Sequence, residues 1–198
     1  APDLVINWNP LTETARNLSF LKQHRTVFLS VLGISWFWFF GATFLSQFPL
    51  YARDYLGGGE GTYMVLLAFF SIGIGAGSLL CERLSGRKIE IGLVPFGSIG
   101  LTVFAVDLYF ATPAAAPGAS LSIVDFLADR GHWHMLADLL LIGMFGGFFI
   151  VPLYALVQSR SHRSHVSRVI AANNILNALF MVAAAGLGAL LLTRGLSV

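Results

Sequence analysis

Along this chain long apolar runs alternate with short polar connections, and within the runs there is no strand-like alternation of apolar and polar positions. Five runs, about Thr26 to Tyr51, Thr62 to Cys81, Ile91 to Thr112, Met135 to Val157 and Val169 to Leu192, are each long enough to cross a hydrocarbon core, which takes about 20 helical residues. In lipid every backbone N–H and C=O must be satisfied within the spanning structure, so helices are expected. The predicted fold class is all-α, a polytopic membrane helix bundle of five transmembrane helices over 26–198. Residues 1–25 differ. They are polar, broken by Pro2 and Pro10, and read as a cytoplasmic interdomain linker with Trp8 at an interface. The run Leu11 to His24 suits a short amphipathic helix on the membrane surface. Gly57-Gly58-Gly59 predicts a tight turn, and Pro113, Pro117 and Gly118 break the third run before an excursion to His134, in which Leu121 to Leu127 predicts a short helix.

Two small-residue patterns stand out inside the runs. Gly73 and Gly77 form a GxxxG unit, which strips side chains from a helix face so that another backbone can approach closely. Gly143 and Gly147 make a similar face on the fourth run. That face, like the one carrying Asn173, is expected to need a covering partner from outside the chain.

Composition changes the picture only by excluding alternatives. Charged residues make up 11% and hydrophobic residues 56% of the chain, whereas a soluble domain carries roughly a quarter charged residues. The chain is therefore an integral membrane protein. Its net charge of +2 arises from segregated charges and says nothing about nucleic-acid or acidic partners; no nucleic acid is expected. The single cysteine, Cys81, excludes an internal disulfide and a cysteine-rich metal site. The chain opens on a polar stretch without an initiator Met or a signal-peptide pattern, and reads as a piece of a longer protein.

The basic residues set an orientation. Counted between runs they are Arg16, Lys22 and Arg25, then Arg53, then Arg83, Arg87 and Lys88, then Arg130, then Arg160, Arg163 and Arg168, then Arg194. By the positive-inside rule the N-terminus is cytoplasmic and the C-terminus outside. The sequon Asn17-Leu18-Ser19 then lies in the cytoplasm and is discarded.

Polar residues within spans are functional candidates because of their cost in lipid. Asn173 and Asn177, with Asn174 beside them, lie one turn apart, and either bind a substrate headgroup or hold helices together. Thr43 and Gln47 make a similar pair. Asp107 is the one acid well inside an apolar run, near its outer end, and is a candidate either for coupling or for a solvated interface. His132, His134 and Asp138 have metal-like spacing, but with no fourth ligand or general base evident they read as headgroup-layer residues beside Trp133. No metal, cofactor or catalytic residue is expected. Gly118-Ala119-Ser120 is outside any span and does not support a serine nucleophile. His162 and His165 read as part of a basic loop, solvated or attracting anionic lipid.

The stretch Gly73 to Lys88, GIGAGSLLCERLSGRK, resembles the signature loop of major facilitator transporters: a glycine helix end, an acidic and a basic residue, then glycine with two basic residues. Gly77, Leu79, Glu82, Arg83, Gly86, Arg87 and Lys88 fill those roles in order, with longer spacing and with glutamate for the usual aspartate. The resemblance implies conformational gating by this loop; an ordinary positive-inside loop is the alternative from the residues alone. Its place between the second and third spans is also the family's, whose two halves are parallel repeats. Val151 to Met181, VPLYALVQSRSHRSHVSRVIAANNILNALFM, is similar to the bacterial lysophospholipid transporter family, including versions fused to an acyltransferase.

Taken together, the resemblance covers the chain as helices 7 to 11. It implies a transporter in the bacterial inner membrane that moves lysophospholipid by alternating access. The headgroup would lie near Asn173, Asn177, Gln47 and Thr43, and the acyl chain against Trp36, Phe37, Trp38, Phe39 and Phe40. The partners implied are the bilayer, lysophospholipid, an N-terminal six-helix half and a twelfth helix. No acyltransferase motif occurs here, so this segment is not expected to be an enzyme. A non-transporting membrane anchor or scaffold for a fused cytoplasmic phospholipid acyltransferase is the alternative.

Overall fold

The computed structural model describes residues 10–22, 24–86, 88–112, 121–161 and 166–195. Trp8, Arg87, Pro113, Pro117, Gly118, Ser120, His162, Arg163 and His165 lie outside the described residues. The elements are α1 (Pro10–Lys22), α2 (Arg25–Asp54), α3 (Glu60–Leu84), α4 (Leu93–Ala111), α5 (Ile123–Ala128), a 3-10 turn (Arg130–His132), α6 (Trp133–Arg160) and α7 (Val166–Thr193). Helices α2, α3, α4, α6 and α7 are long and apolar enough to span a membrane. All but α4 run one to three residues past the apolar runs at each end, because a last turn keeps its hydrogen bonds while its side chains are already polar. Helix α4 starts two residues late, after a turn at Ile91 and Gly92.

Successive spans alternate in direction, so the bundle has two ends. One gathers Arg25, the α3–α4 loop and Arg160, and is termed the basic end; the opposite end carries the α2–α3 turn and α5. Helix α6 is the central post. In its most apolar stretch 61% of residues are buried, against 17% in α4 and in α7, so those two turn most of their surface outward. Helices α3, α4 and α2 pack against α6, and α7 packs on α2. The predicted amphipathic helix α1 packs against α7 and α2, with Leu21 fully buried.

Glycines set how close α3 and α6 come. A Cβ placed on Gly73 would strike the carbonyl of Leu140, one on Gly77 the carbonyl of Met144, and one on Gly143 the carbonyl of Phe70. At Gly147 it would lie 2.7 Å from the Ser78 backbone nitrogen. The GxxxG unit of α3 is therefore interlocked with Gly143 and Gly147 of α6, backbone on backbone. The expectation that Gly143 and Gly147 need a partner from outside the chain is thus corrected: α3 covers them. On another side of α6, a Cβ on Gly97 of α4 would fall 2.6 Å from the Phe149 nitrogen, and one on Gly100 would enter the Phe145 ring. Dispersion between closely packed backbones substitutes here for the hydrophobic effect, which does not act between helices in lipid.

At the opposite end Gly57 adopts φ 59°, a left-handed conformation that suits glycine, and its carbonyl accepts the Leu121 N–H at 3.1 Å. This ties the segment before α5 to the α2–α3 turn. The short helix expected over Leu121 to Leu127 forms as α5, where the Ser122 hydroxyl accepts the Asp125 N–H at 3.2 Å.

The interlock predicts a sharp positional difference. Gly143→Ala should destabilise the folded bundle by at least about 2 kcal/mol, toward the upper range for overpacking, because the obstructing atom is backbone. Gly75→Ala, whose new methyl meets open space, should be neutral or slightly stabilising. Thermal unfolding in detergent checks this; equal midpoints for the two variants would contradict the interlock.

Candidate substrate-binding site

Helix α2 presents two chemically different faces. On the face toward α7, the Ser35 hydroxyl donates to Asn177 Oδ1 at 2.9 Å, and both residues are buried. Asn173, one turn away on α7, is also buried, and its Oδ1 has no hydrogen-bond partner. An unpartnered buried carbonyl oxygen loses its hydration without compensation, at a cost of roughly 1–3 kcal/mol. The α2–α7 seam therefore contains one satisfied polar pair and one open acceptor. Asn174 points outward and is exposed.

The adjoining face of α2 carries an aromatic ladder. Trp36, Phe40, Phe44 and Phe48 follow one another at one-turn spacing, with ring centroids 5.9, 5.3 and 5.5 Å apart. The ladder continues onto Phe70 of α3, 6.0 Å from Phe48, and touches Phe149 of α6, 5.6 Å from Trp36. Such pairs contribute about 0.5–1.5 kcal/mol each beyond area burial. Between α2 and α4 a groove of about 430 Å³ opens, lined by Trp36, Phe40, Leu101, Ala105, Tyr109 and Phe110, with Thr102 and Val106. The aromatics expected to act together do not share a face, since five consecutive helical residues circle the axis. Trp36 and Phe40 line the groove. Phe37 is buried against Phe149, and the Trp38 indole N–H donates to the Tyr154 hydroxyl at 3.2 Å.

The predicted polar residues are not gathered at one point. Ser35 and Gln47 are twelve positions apart on α2, about 18 Å of helix at 1.5 Å per residue. Gln47 lies beside Gly188 of α7, near the opposite end, while Asn173 and Asn177 sit toward the basic end. The Thr43 hydroxyl donates back to the Phe39 carbonyl at 2.9 Å and is satisfied within its own helix. Ser35 was not singled out from sequence. A lone serine in an apolar run usually bonds its own preceding turn, as Ser30 does to the Thr26 carbonyl and Ser78 to that of Ile74.

At the basic end Glu82, Arg83 and Lys88 are exposed, and Gly86 takes φ 57° to end α3. A groove of about 320 Å³ runs between this loop and Val151, Pro152 and Ala155 of α6. The loop thus borders the post helix. At the opposite end Asp107 of α4 reaches α6, where His134 Nε2 lies 3.0 Å from Asp107 Oδ2. His132 is turned away, its Nδ1 3.0 Å from the Phe126 carbonyl and its ring stacked on Phe126.

Comparison with known proteins decides the family. The family model described as Major Facilitator Superfamily matches residues 5–190. The chain belongs to this superfamily. Within it, the chain is 34% identical over 137 residues to the lysophospholipid transporter LplT of Cronobacter sakazakii, covering 68% of the chain and 30% of that protein. It is 26% identical over 196 residues to LplT of Photorhabdus laumondii, covering 96% of the chain and 44% of that protein. A third match, LplT of Klebsiella pneumoniae, is 28% identical over 140 residues, covering 70% of the chain and 35% of that protein. The chain therefore spans less than half the length of these superfamily relatives. No solved structure matches it.

The polar seam is testable by a double-mutant cycle. Ser35→Ala and Asn177→Leu should each lower stability, with a coupling of about 0.6–1.7 kcal/mol, the range for interhelical hydrogen bonds in membranes. Unfolding of the four proteins from mixed micelles measures it, and purely additive effects would show that the pair does not hold α2 to α7.

Proposed function

We propose that this chain is part of a transporter that moves lysophospholipid across the bacterial inner membrane by alternating access. The observation that carries the proposal is the division of α2 into a polar and an apolar face at one height, in a chain similar to lysophospholipid transporters. Ser35 and Trp36 are neighbours in sequence, so the open acceptor of Asn173 and the mouth of the aromatic groove stand at about the same depth. A single-chain lipid has the complementary shape: a headgroup with donors for a carbonyl oxygen, and one acyl chain for an apolar groove. Gln47 and Thr43, displaced toward the opposite end, suit a different stage of passage better than the same headgroup position.

The basic-residue alternation supports a cytoplasmic N-terminus, which puts the basic end inside. In that orientation the loop carrying Glu82, Arg83, Gly86 and Lys88 is a cytoplasmic gating loop that borders α6 through Glu82 and Lys88, and Gly77 locks α3 to the post so that the two move as one packed unit. Rocking against an N-terminal six-helix half, with a twelfth helix completing this one, provides alternating access.

Uptake by the intact transporter tests the reading. Ala105→Trp, which fills the groove, and Asn173→Leu, which removes the open acceptor, should each reduce lysophospholipid movement by about tenfold, a loss of roughly 1.4 kcal/mol, with unchanged amounts of inserted protein. Unchanged uptake in both variants would contradict the site. Absence of uptake by the unaltered protein would favour a membrane anchor for a fused acyltransferase.

A further inference from the structure

Asp107, His134 and Asp138 form a cluster that the proposed transport path does not use. One oxygen from each carboxylate and one imidazole nitrogen all lie within 4.8 Å of one another. His134 Nε2 is 3.0 Å from Asp107 Oδ2 and 3.8 Å from Asp138 Oδ2. Ligands held tetrahedrally at about 2.0–2.1 Å from a zinc ion are about 3.3 Å apart, a spacing these two distances bracket. The cluster needs only small side-chain rotations to converge on one ion, and His134 and Asp138 are already one turn apart on α6.

A second observation points to a cation. The Asp138 side chain is only 2% exposed, and its Oδ2 has no hydrogen-bond partner. A buried carboxylate oxygen in a membrane-spanning helix is costly unless a charge or a donor compensates it. His134 and Asp107, by contrast, have side chains 61% and 45% exposed, which leaves an entry path and room for water ligands. We infer that Asp107, His134 and Asp138 form a binding site for a divalent first-row cation such as Zn2+ or Mn2+, held by one nitrogen and two carboxylate oxygens and completed by water. The absence of thiolates and the mixed N,O donor set fit these ions. Because Asp107 comes from α4 and the other two ligands from α6, the bound ion clamps α4 to the post at the end away from the signature loop.

The test uses the intact, tag-free transporter, freed of metal by chelation, with Co2+ as spectroscopic probe and Zn2+ for calorimetry. One saturable site per chain is expected, with Co2+ visible-band absorption that Zn2+ displaces and a thermal midpoint that rises with Zn2+. Asp107→Asn and His134→Gln, both at half-exposed positions, should weaken binding at least about tenfold, the lower bound for damage to a metal site's supporting shell. Asp125→Asn, an exposed acid outside the cluster, should leave it unchanged. Absence of a saturable Co2+ band in the unaltered protein would overturn the site and leave His134 as a simple bridge between two carboxylates. Unaltered affinity in both cluster variants would overturn it by assigning the metal elsewhere.

Discussion

The close approach of α3 and α6 is the constraint from which the arrangement of the bundle follows. Glycines at matching heights on both helices bring carbonyl groups to within contact of opposing backbone, and no side chain larger than hydrogen fits at those points. With α3 fixed so tightly on one side of α6, and α4 seated on Gly97 and Gly100 on another, α6 becomes a post with few degrees of freedom. Helix α2 then packs across the remaining part of α6 with Phe37 and Phe149, and α7 reaches the bundle through α2. Packing is densest around α6 and sparse on the outward surfaces of α4 and α7, and at the α2–α7 seam a hydrogen bond rather than a glycine interlock joins the helices.

This gradient gives the proposed mechanism its physical form. In that proposal the glycine-locked α3, α4 and α6 travel as a rigid unit, while the seam beside α2 carries the buried polar groups. A polar group in lipid without a partner is costly, and Asn173 bears that cost in the structure described. Occupation by a headgroup would relieve it, which is how differential binding biases one conformation over another. The aromatic ladder beside the seam would supply a wall for an acyl chain at the same level.

Much of the fold was legible in the sequence, since length and hydropathy suffice to identify five spans and the turn residues place their connections. Family membership was legible in the signature-like run through Glu82 to Lys88. Partner choice between helices was not. Gly73 and Gly77 announce that some helix comes close, but neither the pattern nor the spacing says that Gly143 and Gly147 are what they meet. The same limit applies to the candidate site. Asn177 was visible as a polar residue in a span, whereas Ser35 acquires meaning only from the parallel register of α2 and α7. Asp107 likewise read as an isolated acid, because its partners His134 and Asp138 are 27 and 31 positions away. The five consecutive aromatics from Trp36 to Phe40 read as one surface from their adjacency in sequence, which is not adjacency on a helix face.

The division of α2 into headgroup and acyl-chain faces is the central claim, and photolabelling examines it directly. A lysophospholipid carrying a diazirine in its acyl chain would be activated in membranes containing the intact transporter, and the adducts mapped by peptide. Adducts concentrated on Trp36, Phe40 and the α4 stretch from Leu101 to Phe110, and suppressed by excess unlabelled lysophospholipid, are predicted. Adducts spread over the outward-facing residues of α4 and α7 without competition would show that the groove is ordinary lipid-facing surface and contradict the account.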